Sequence, residues 1–244
     1  MEFRTLKAEE IDCRVSQIDK SWCTLLLYKD ARVDMNILDE SVGSMNWQKR
    51  YVRDNANCIV GIWDSEKSQW IEKEDTGTES FTEAEKGLAS DSFKRACFNW
   101  GIGRELYTAP SIFILPRKDM GSIRKPDEEP NEFFEKNGKY TTKTKFYVDY
   151  ITYDQDRNIE NLIIRDHKGN IRFEQLTQEA QKEKNDEFMK LQKLVENNED
   201  KDDSFDREKF YKYFGVVSDS QLNHKQIKEA IDLLSKRLKK VDTK

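Results

Sequence analysis

The sequence predicts an α+β fold with an antiparallel β-β-β-α core, and three observations carry that expectation. Residues 46–53, 57–64 and 69–76 form three consecutive strand-like runs, joined by the short polar connectors Asn55-Ala56-Asn57 and Ser65-Glu66-Lys67-Ser68, which suit hairpins. In the middle run Cys58, Val60 and Ile62 alternate with Ile59, Gly61 and Trp63, so both faces are apolar and the strand is expected to be central. After Gly77 and a polar turn, Ala89, Phe93, Ala96, Cys97 and Trp100 recur at helical spacing within residues 85–107 and make one apolar stripe. A sheet of this kind can bury one face against the helix and leave the other open.

That long helix organises the chain. Thr82 as N-cap with Glu85 three residues later is a capping-box pattern. Gly101 and Gly103 stop the helix, because glycine takes the left-handed backbone of a helix end without strain. Beside the apolar stripe stand Lys86, Lys94 and Arg95, with Arg104 just beyond the end. On the helix alone these cations fit a solvated face as well as a binding face.

The remaining elements follow in order. Phe3, Leu6, Ile11 and Val15 recur every three to five residues and suggest a first helix over 3–17. Residues 22–33 read as a buried strand that turns polar at Lys29, and 35–42 as a short helix stopped by Gly43. Beyond Tyr107 the pattern weakens. Residues 112–115 suggest a strand and 117–143 an aperiodic loop. Phe146, Val148 and Tyr150, then Leu162 to Ile164, then Ile171 and Phe173 across the turn at Asp166-His167-Lys168-Gly169-Asn170, add a C-terminal antiparallel hairpin. Residues 178–198 form a polar helix with a narrow stripe of Phe188, Leu191 and Val195, followed by an acidic linker over 197–204. A tail of two short helices carries Phe210, Tyr213, Phe214, Ile227, Ile231, Leu234 and Leu238 as anchors. It is too small for a strong core of its own and reads as a docking module. The expected division is 1–177 as the core, 178–204 as helix and linker, and 205–244 as the helical interaction module.

Composition bounds the function. Of 244 residues, 36% are charged, yet aromatics at 11% demand a folded centre. No apolar run approaches membrane-spanning length, and the charged, amphipathic beginning is unlike a signal peptide, so a cytoplasmic protein without membrane partners is expected. The cysteines Cys13, Cys23, Cys58 and Cys97 are widely spaced, which points to buried or partly buried free thiols. A net charge of −5 and a pI near 5.4 argue against a globally basic nucleic-acid binder. Any phosphate-binding surface must be a local patch, or one concentrated by assembly of several copies.

The chain has no phosphate loop of the GxxxxGK type, no GxSxG and no HExxH, and its two histidines, His167 and His224, stand outside any motif and read as surface residues. No catalytic residue, metal or cofactor is expected. Two chemistries remain. Glu72 and Glu74 on one strand face, with Asp75 on the other and Asp64 a hairpin earlier, could form a metal-dependent nuclease site, or simply a solvated edge. Alternatively Arg32, Lys49, Arg50 and Arg53 on the early strands, with Lys86, Lys94, Arg95 and Arg104, could bound a cationic groove that holds phosphates without reading sequence. Asp91 stands four residues before Arg95 and suits a helix ion pair. Trp22, Trp47, Tyr51, Trp63 and Trp70 offer faces for base stacking, core packing or subunit contact. A third possibility is a structural adaptor acting through the tail.

The stretch EKGLASDSFKRACFNWGIG, preceded by a meander ending in EDTGTES, resembles the Rad fifty-two family of single-strand annealing proteins, especially its bacteriophage members. DARVDMNILDESVGSMNW, residues 30–47, resembles the family segment in which an arginine leads into a short helix, a glycine and a tryptophan. Together the likeness spans residues 10–107. It implies the single-strand annealing fold, assembly into rings or filaments, and ATP-independent binding and annealing of single-stranded DNA in homologous recombination and repair. By position it assigns DNA contacts to Arg32 at the end of the first strand and to Lys86, Lys94 and Arg95. Phe98 stands where some members carry a further basic residue. The tail resembles short C-terminal modules of phage recombination proteins, which implies a single-strand-binding protein or an exonuclease as partner, in a bacterial host cytoplasm.

Overall fold

A computed structural model describes residues 2–78, 84–117 and 132–241, and the side chains of all of these except 84–86. It is an α+β protein built from antiparallel sheets. In chain order the elements are β1 (Asp12–Ile18), β2 (Cys23–Tyr28), α1 (Ala31–Val42), β3 (Trp47–Val52), β4 (Asn57–Asp64), β5 (Gln69–Thr76) and α2 (Ala84–Asn99). There follow β6 (Ile112–Ile114), β7 (Phe133–Lys136), β8 (Lys139–Thr142), β9 (Phe146–Tyr153), β10 (Ile159–Asp166), β11 (Ile171–Gln175), α3 (Gln178–Lys201), α4 (Arg207–Tyr213) and α5 (His224–Val241). Two compact units result: one of Met1–Asp12, Leu27–Pro110 and Gln155–Asn158, the other of Cys13–Leu26, Ser111–Asp154 and Ile159–Lys244.

In the first unit, β3, β4 and β5 form a three-stranded meander with β4 in the centre. The register sets Lys49 opposite Val60 and Val60 opposite Lys73, so Trp47, Lys49, Tyr51, Cys58, Val60, Ile62, Lys73 and Asp75 share one face. α2 covers that face with Phe93, Ala96 and Cys97, all fully buried. Trp47 stacks on Phe93 at 6.2 Å between ring centres, and the Trp100 indole donates to the Val60 carbonyl at 3.1 Å. Gly101 and Gly103 take φ of +97° and +77° where the chain leaves α2, as the sequence implies. The capping box at Thr82 lies outside the described residues.

Two expectations for this unit are corrected. The apolar residues Phe3, Leu6 and Ile11 are buried, but they lie in an irregular segment with one 3-10 turn at Ala8–Glu10, and β1 follows. Arg4 forks onto Glu10 at 2.7 Å, and Leu6 N–H donates to the buried Glu105 at 2.7 Å, so side chains satisfy backbone and charge that a helix would have paired internally. The strand expected over 22–33 stops at Tyr28. Asp30 accepts from Arg32 N–H at 2.8 Å as an N-cap, so the helix begins at Ala31 rather than near Met35.

The second unit is a six-stranded sheet in the order β11-β10-β9-β1-β2-β6, with Arg172 of β11 donating to Leu115 O beyond β6 at 2.7 Å. The expected C-terminal hairpin is therefore part of a larger sheet, because β9 pairs with β1 as well as β10. β10 is buried from Asn161 to Asp166 on both faces, and its Arg165 is paired with Asp149 at 2.6 Å. Within the stretch expected to be a loop, β7 and β8 form a hairpin. Its turn, Asn137-Gly138, has φ of +53° and +73°, the geometry a two-residue hairpin demands; residues 118–131 lie outside the described residues.

α3 starts at the N-cap Thr177 and runs to Lys201, well into the stretch expected to be a linker. Buried Asn198 holds that last turn down, donating to Leu194 O at 2.7 Å and Leu234 O at 3.4 Å. The tail is not two short helices: α5 has 18 residues. Leu191 and Val195 of α3 share one core with Tyr211, Leu222, Ile227, Ala230 and Leu234. Cys23, Cys58 and Cys97 are buried free thiols and Cys13 is half-buried. Among the described residues no helix is long and apolar enough to cross a membrane.

A Cβ placed on Gly77 would lie 2.5 Å from both Leu88 O and Ser92 N of α2, a clash that only a backbone shift relieves. Gly77→Ala should lower unfolding stability by ~1–3 kcal/mol, the usual cost of overpacking, as read by urea denaturation. An unchanged midpoint would show that α2 does not press on this segment.

Candidate nucleic-acid interface

The expected cationic groove divides when its members are placed. α2 buries its apolar stripe, so its flanking residues leave on opposite sides; successive residues on a helix differ by about 100°. Lys94, half-buried, faces the start of α1, where its charge favours the ionised forms of Asp30 and Asp34. Arg95, exposed, turns to β5 and pairs with Asp75 at 3.3 Å. Asp91 accepts from Thr78 N–H at 2.9 Å and from its hydroxyl at 3.1 Å, so the expected helix pair with Arg95 gives way to two tertiary hydrogen bonds.

Arg32 lies in the first turn of α1 rather than at a strand end, with its side chain 83% exposed. It leans back on its own N-cap, donating to Asp30 at 3.0 Å. The Arg32 guanidinium and backbone N–H hold the Asp30 carboxyl below the usual carboxylate range, and Lys94 adds to that. Arg32 and Lys94, far apart in the chain, thus both favour the charged form of one carboxylate, Arg32 by direct hydrogen bonds and Lys94 by its charge alone.

The other residues expected to touch DNA take separate places. Lys49 lies on the helix-side face of β3, with its ammonium 4.4 Å from the centre of the Phe93 ring. Arg50, one residue on, faces the opposite side and pairs with Glu72 at 2.9 Å. Arg104 closes the end of α2, donating to Phe98 O at 2.8 Å and Asn99 O at 2.9 Å, while its guanidinium lies 5.5 Å from the Phe98 ring. Lys86 belongs to the first turn of α2, and its side chain lies outside the described residues.

Three side chains, Lys73, Lys29 and Asp34, carry interactions that the sequence did not assign to them. Lys73 reaches from β5 to Asn99 O at 2.9 Å and lies 4.4 Å from the Trp100 ring, a position that alternation with Asp75 implies. Lys29 and Asp34 form a buried ion pair in which Asp34 Oδ2 has no hydrogen-bond partner. No local pattern announces it, although Asp30 as a helix N-cap places Asp34 in the first turns of α1.

The carboxylates weighed for metal chemistry are engaged elsewhere. Glu72 pairs with Arg50, Glu74 accepts from Asn57 at 2.5 Å, and Asp64 accepts from Glu66 N–H at 3.1 Å and Lys67 N–H at 3.2 Å in its own turn. Among the described residues no group of three acidic, histidine or cysteine side chains stands close enough to hold a metal ion. His224 is half-buried against Tyr150 at 4.5 Å rather than on the surface, and burial lowers its pKa. Comparison with protein-family models, with curated proteins and with solved structures finds no match to this chain.

Burial pushes the Asp34 carboxyl up to about 6, with Lys29 and Lys94 pulling it back. A carboxyl with a raised folded-state pKa binds its proton more tightly when folded. Its contribution to stability is therefore fully present below about pH 4 and is lost as pH rises through about 6. Measured against Asp34→Asn, wild-type stability should increase by ~3 kcal/mol as pH falls from about 7 to about 4, two units at ~1.36 kcal/mol each. Urea titrations of both proteins across this range provide the check; a difference that stays flat or shrinks toward acid contradicts the assignment.

Proposed function

We propose that this chain is an ATP-independent single-strand annealing protein of the Rad fifty-two type, binding single-stranded DNA by its phosphates while base pairing supplies the specificity. One observation carries the reading: exposed Arg32 of α1 pairs with Asp30, and Lys94 of α2 is near enough to favour the ionised form of the same carboxylate, beside a β-β-β-α unit. These are two of the positions that the family likeness assigns to DNA. Arg104, over the Phe98 ring, sets a cation beside the position where some family members carry a basic residue. Arg32 is exposed and Lys94 half-buried, and phosphates are neutralised by such groups without sequence readout.

Self-association fits the same reading. The meander ends in β3 on one side and β5 on the other, and among the described residues neither carries a further strand. β3 contributes Lys49 and Arg50, and β5 contributes Glu72, Glu74 and Asp75. A β3 edge of one copy meeting a β5 edge of the next is a head-to-tail interface, which closes into a ring or continues as a filament. Each copy carries a net charge of −5, but repetition along such an assembly would place the same cations in register from copy to copy as a continuous local stripe. The mechanism needs no catalytic side chain, nucleotide or metal.

The substitution Arg32→Ala with Lys94→Ala tests the site. Fluorescence anisotropy on a labelled oligothymidine should show affinity about tenfold weaker or worse. The slope of log affinity against log salt should become shallower by ~1.4, at ~0.7 for each phosphate no longer neutralised. Circular dichroism establishes that the variant is folded. A folded variant with the wild-type slope would refute the assignment.

A further inference from the structure

Past α2 the chain makes one 3-10 turn, Arg104–Thr108. The buried carboxylate of Glu105 anchors this turn from within, accepting from Leu6 N–H at 2.7 Å and from Arg157 at 3.1 Å. Side chains three residues apart eclipse on a 3-10 turn, so Arg104 and Tyr107 leave it on the same side, and both are exposed. Tyr107 is 74% exposed. Its ring lies 4.7 Å from that of half-buried Phe98, tilted by 57°, and the Arg104 guanidinium lies 5.5 Å from the same Phe98 ring. Phe98 follows Lys94 by four residues, so the two are neighbours on one face of α2. Asn99 O accepts from both Arg104 and Lys73 at 2.9 Å. Among the described residues neither of these two cations has a carboxylate partner.

We propose that Tyr107, backed by Phe98, is the platform on which one nucleobase of the bound strand stacks, with Arg104 meeting the adjoining phosphate. This role rests on the annealing reading and adds to it a residue that the family likeness does not assign. Every base has a π-face, so stacking on an aromatic ring holds a strand without reading its sequence. The turn pinned by Glu105 presents the Tyr107 ring already ordered, which lowers the entropy lost on binding. Arg104 spends Nε and Nη2 on Phe98 O and Asn99 O and leaves Nη1 for a phosphate oxygen. Lys94, one helical turn back from Phe98, connects the platform to the phosphate-binding residues of the same site. Cations at a helix C-terminus also offset the helix dipole, and an exposed tyrosine also suits a contact between copies; the experiment separates both roles from stacking.

The test uses the full chain with Tyr107→Ala and Tyr107→Phe, a labelled oligothymidine, and an abasic oligonucleotide of the same length. Tyr107→Ala should bind oligothymidine about tenfold more weakly than wild type. The slope of log affinity against log salt should stay at the wild-type value, because stacking releases no counterion. Tyr107→Phe, which keeps the ring, should retain wild-type affinity, and the abasic strand should bind wild type and Tyr107→Ala alike. Undiminished oligothymidine binding by Tyr107→Ala overturns the proposal and leaves the annealing reading standing. An equal loss on the abasic strand, or a loss that follows a smaller assembly in sedimentation, also overturns it and assigns Tyr107 to the fold or to a contact between copies. Absence of oligothymidine binding by the wild-type protein defeats the annealing reading itself, and the stacking role with it.

Discussion

The buried ion pair between Lys29 and Asp34 is the interaction on which the arrangement of the first unit depends. Lys29 follows β2, Asp34 stands in the first turns of α1, and both are removed from water. Stripping two charges of solvent costs several kcal/mol per ion, so the pair persists only where the surroundings hold it closed; removing one partner from such a pair typically costs ~3–5 kcal/mol. Gly103 is part of that enclosure. It takes φ of +77° just past α2, and a Cβ there would collide with the Lys29 side chain. Asp34 and Lys29 also act on the thiol of Cys97, which burial raises well above its usual value. The end of β2, the start of α1 and the last turns of α2 therefore share one low-dielectric point, and Arg32 and Lys94 lie at its margin.

Counting charges by composition hides this organisation. Several of the most prominent cations are committed to structure: Arg165 to Asp149, and Arg172 to Glu132 and Asp166, inside the second unit. Others hold the first unit together, with Arg50 on Glu72 across the outer sheet face and Arg95 on Asp75 across the inner one. The exposed pairs contribute little to stability. They do decide which cations remain to meet a ligand. Arg32 pairs with its own N-cap carboxylate, a partner that a phosphate can rival without unfolding anything.

Much of the fold was legible because its signals are local. The meander over 46–76 follows from alternation and two polar turns, and β3, β4 and β5 fall within a residue of the expected bounds. Burial of Phe93, Ala96 and Cys97 follows from the helical period of α2. Where apolar spacing was ambiguous, tertiary interactions decided. Phe3, Leu6 and Ile11 are core residues, but Arg4, Glu10 and Glu105 hold them in an irregular segment that no periodicity describes. The hairpin of β7 and β8 had a usable signal, Asn137-Gly138 between aromatic runs, within a stretch otherwise dominated by prolines and charges. The site was legible as residues and not as geometry. Period-two alternation separates Lys49 from Arg50, and a 100° helical step separates Lys94 from Arg95, so pairs adjacent in sequence part company in space. That Arg32 and Lys94 both act on Asp30 is a tertiary effect that spacing alone does not contain.

Strand annealing itself gives the most direct test. Two complementary oligonucleotides, one carrying a fluorophore and the other a quencher, are mixed with the purified protein in EDTA and without nucleotide. The account predicts that pairing is accelerated as protein is added up to coverage of the strands, and that both strands stay intact. Pairing no faster than in buffer at saturating protein, or pairing that requires ATP, would contradict it.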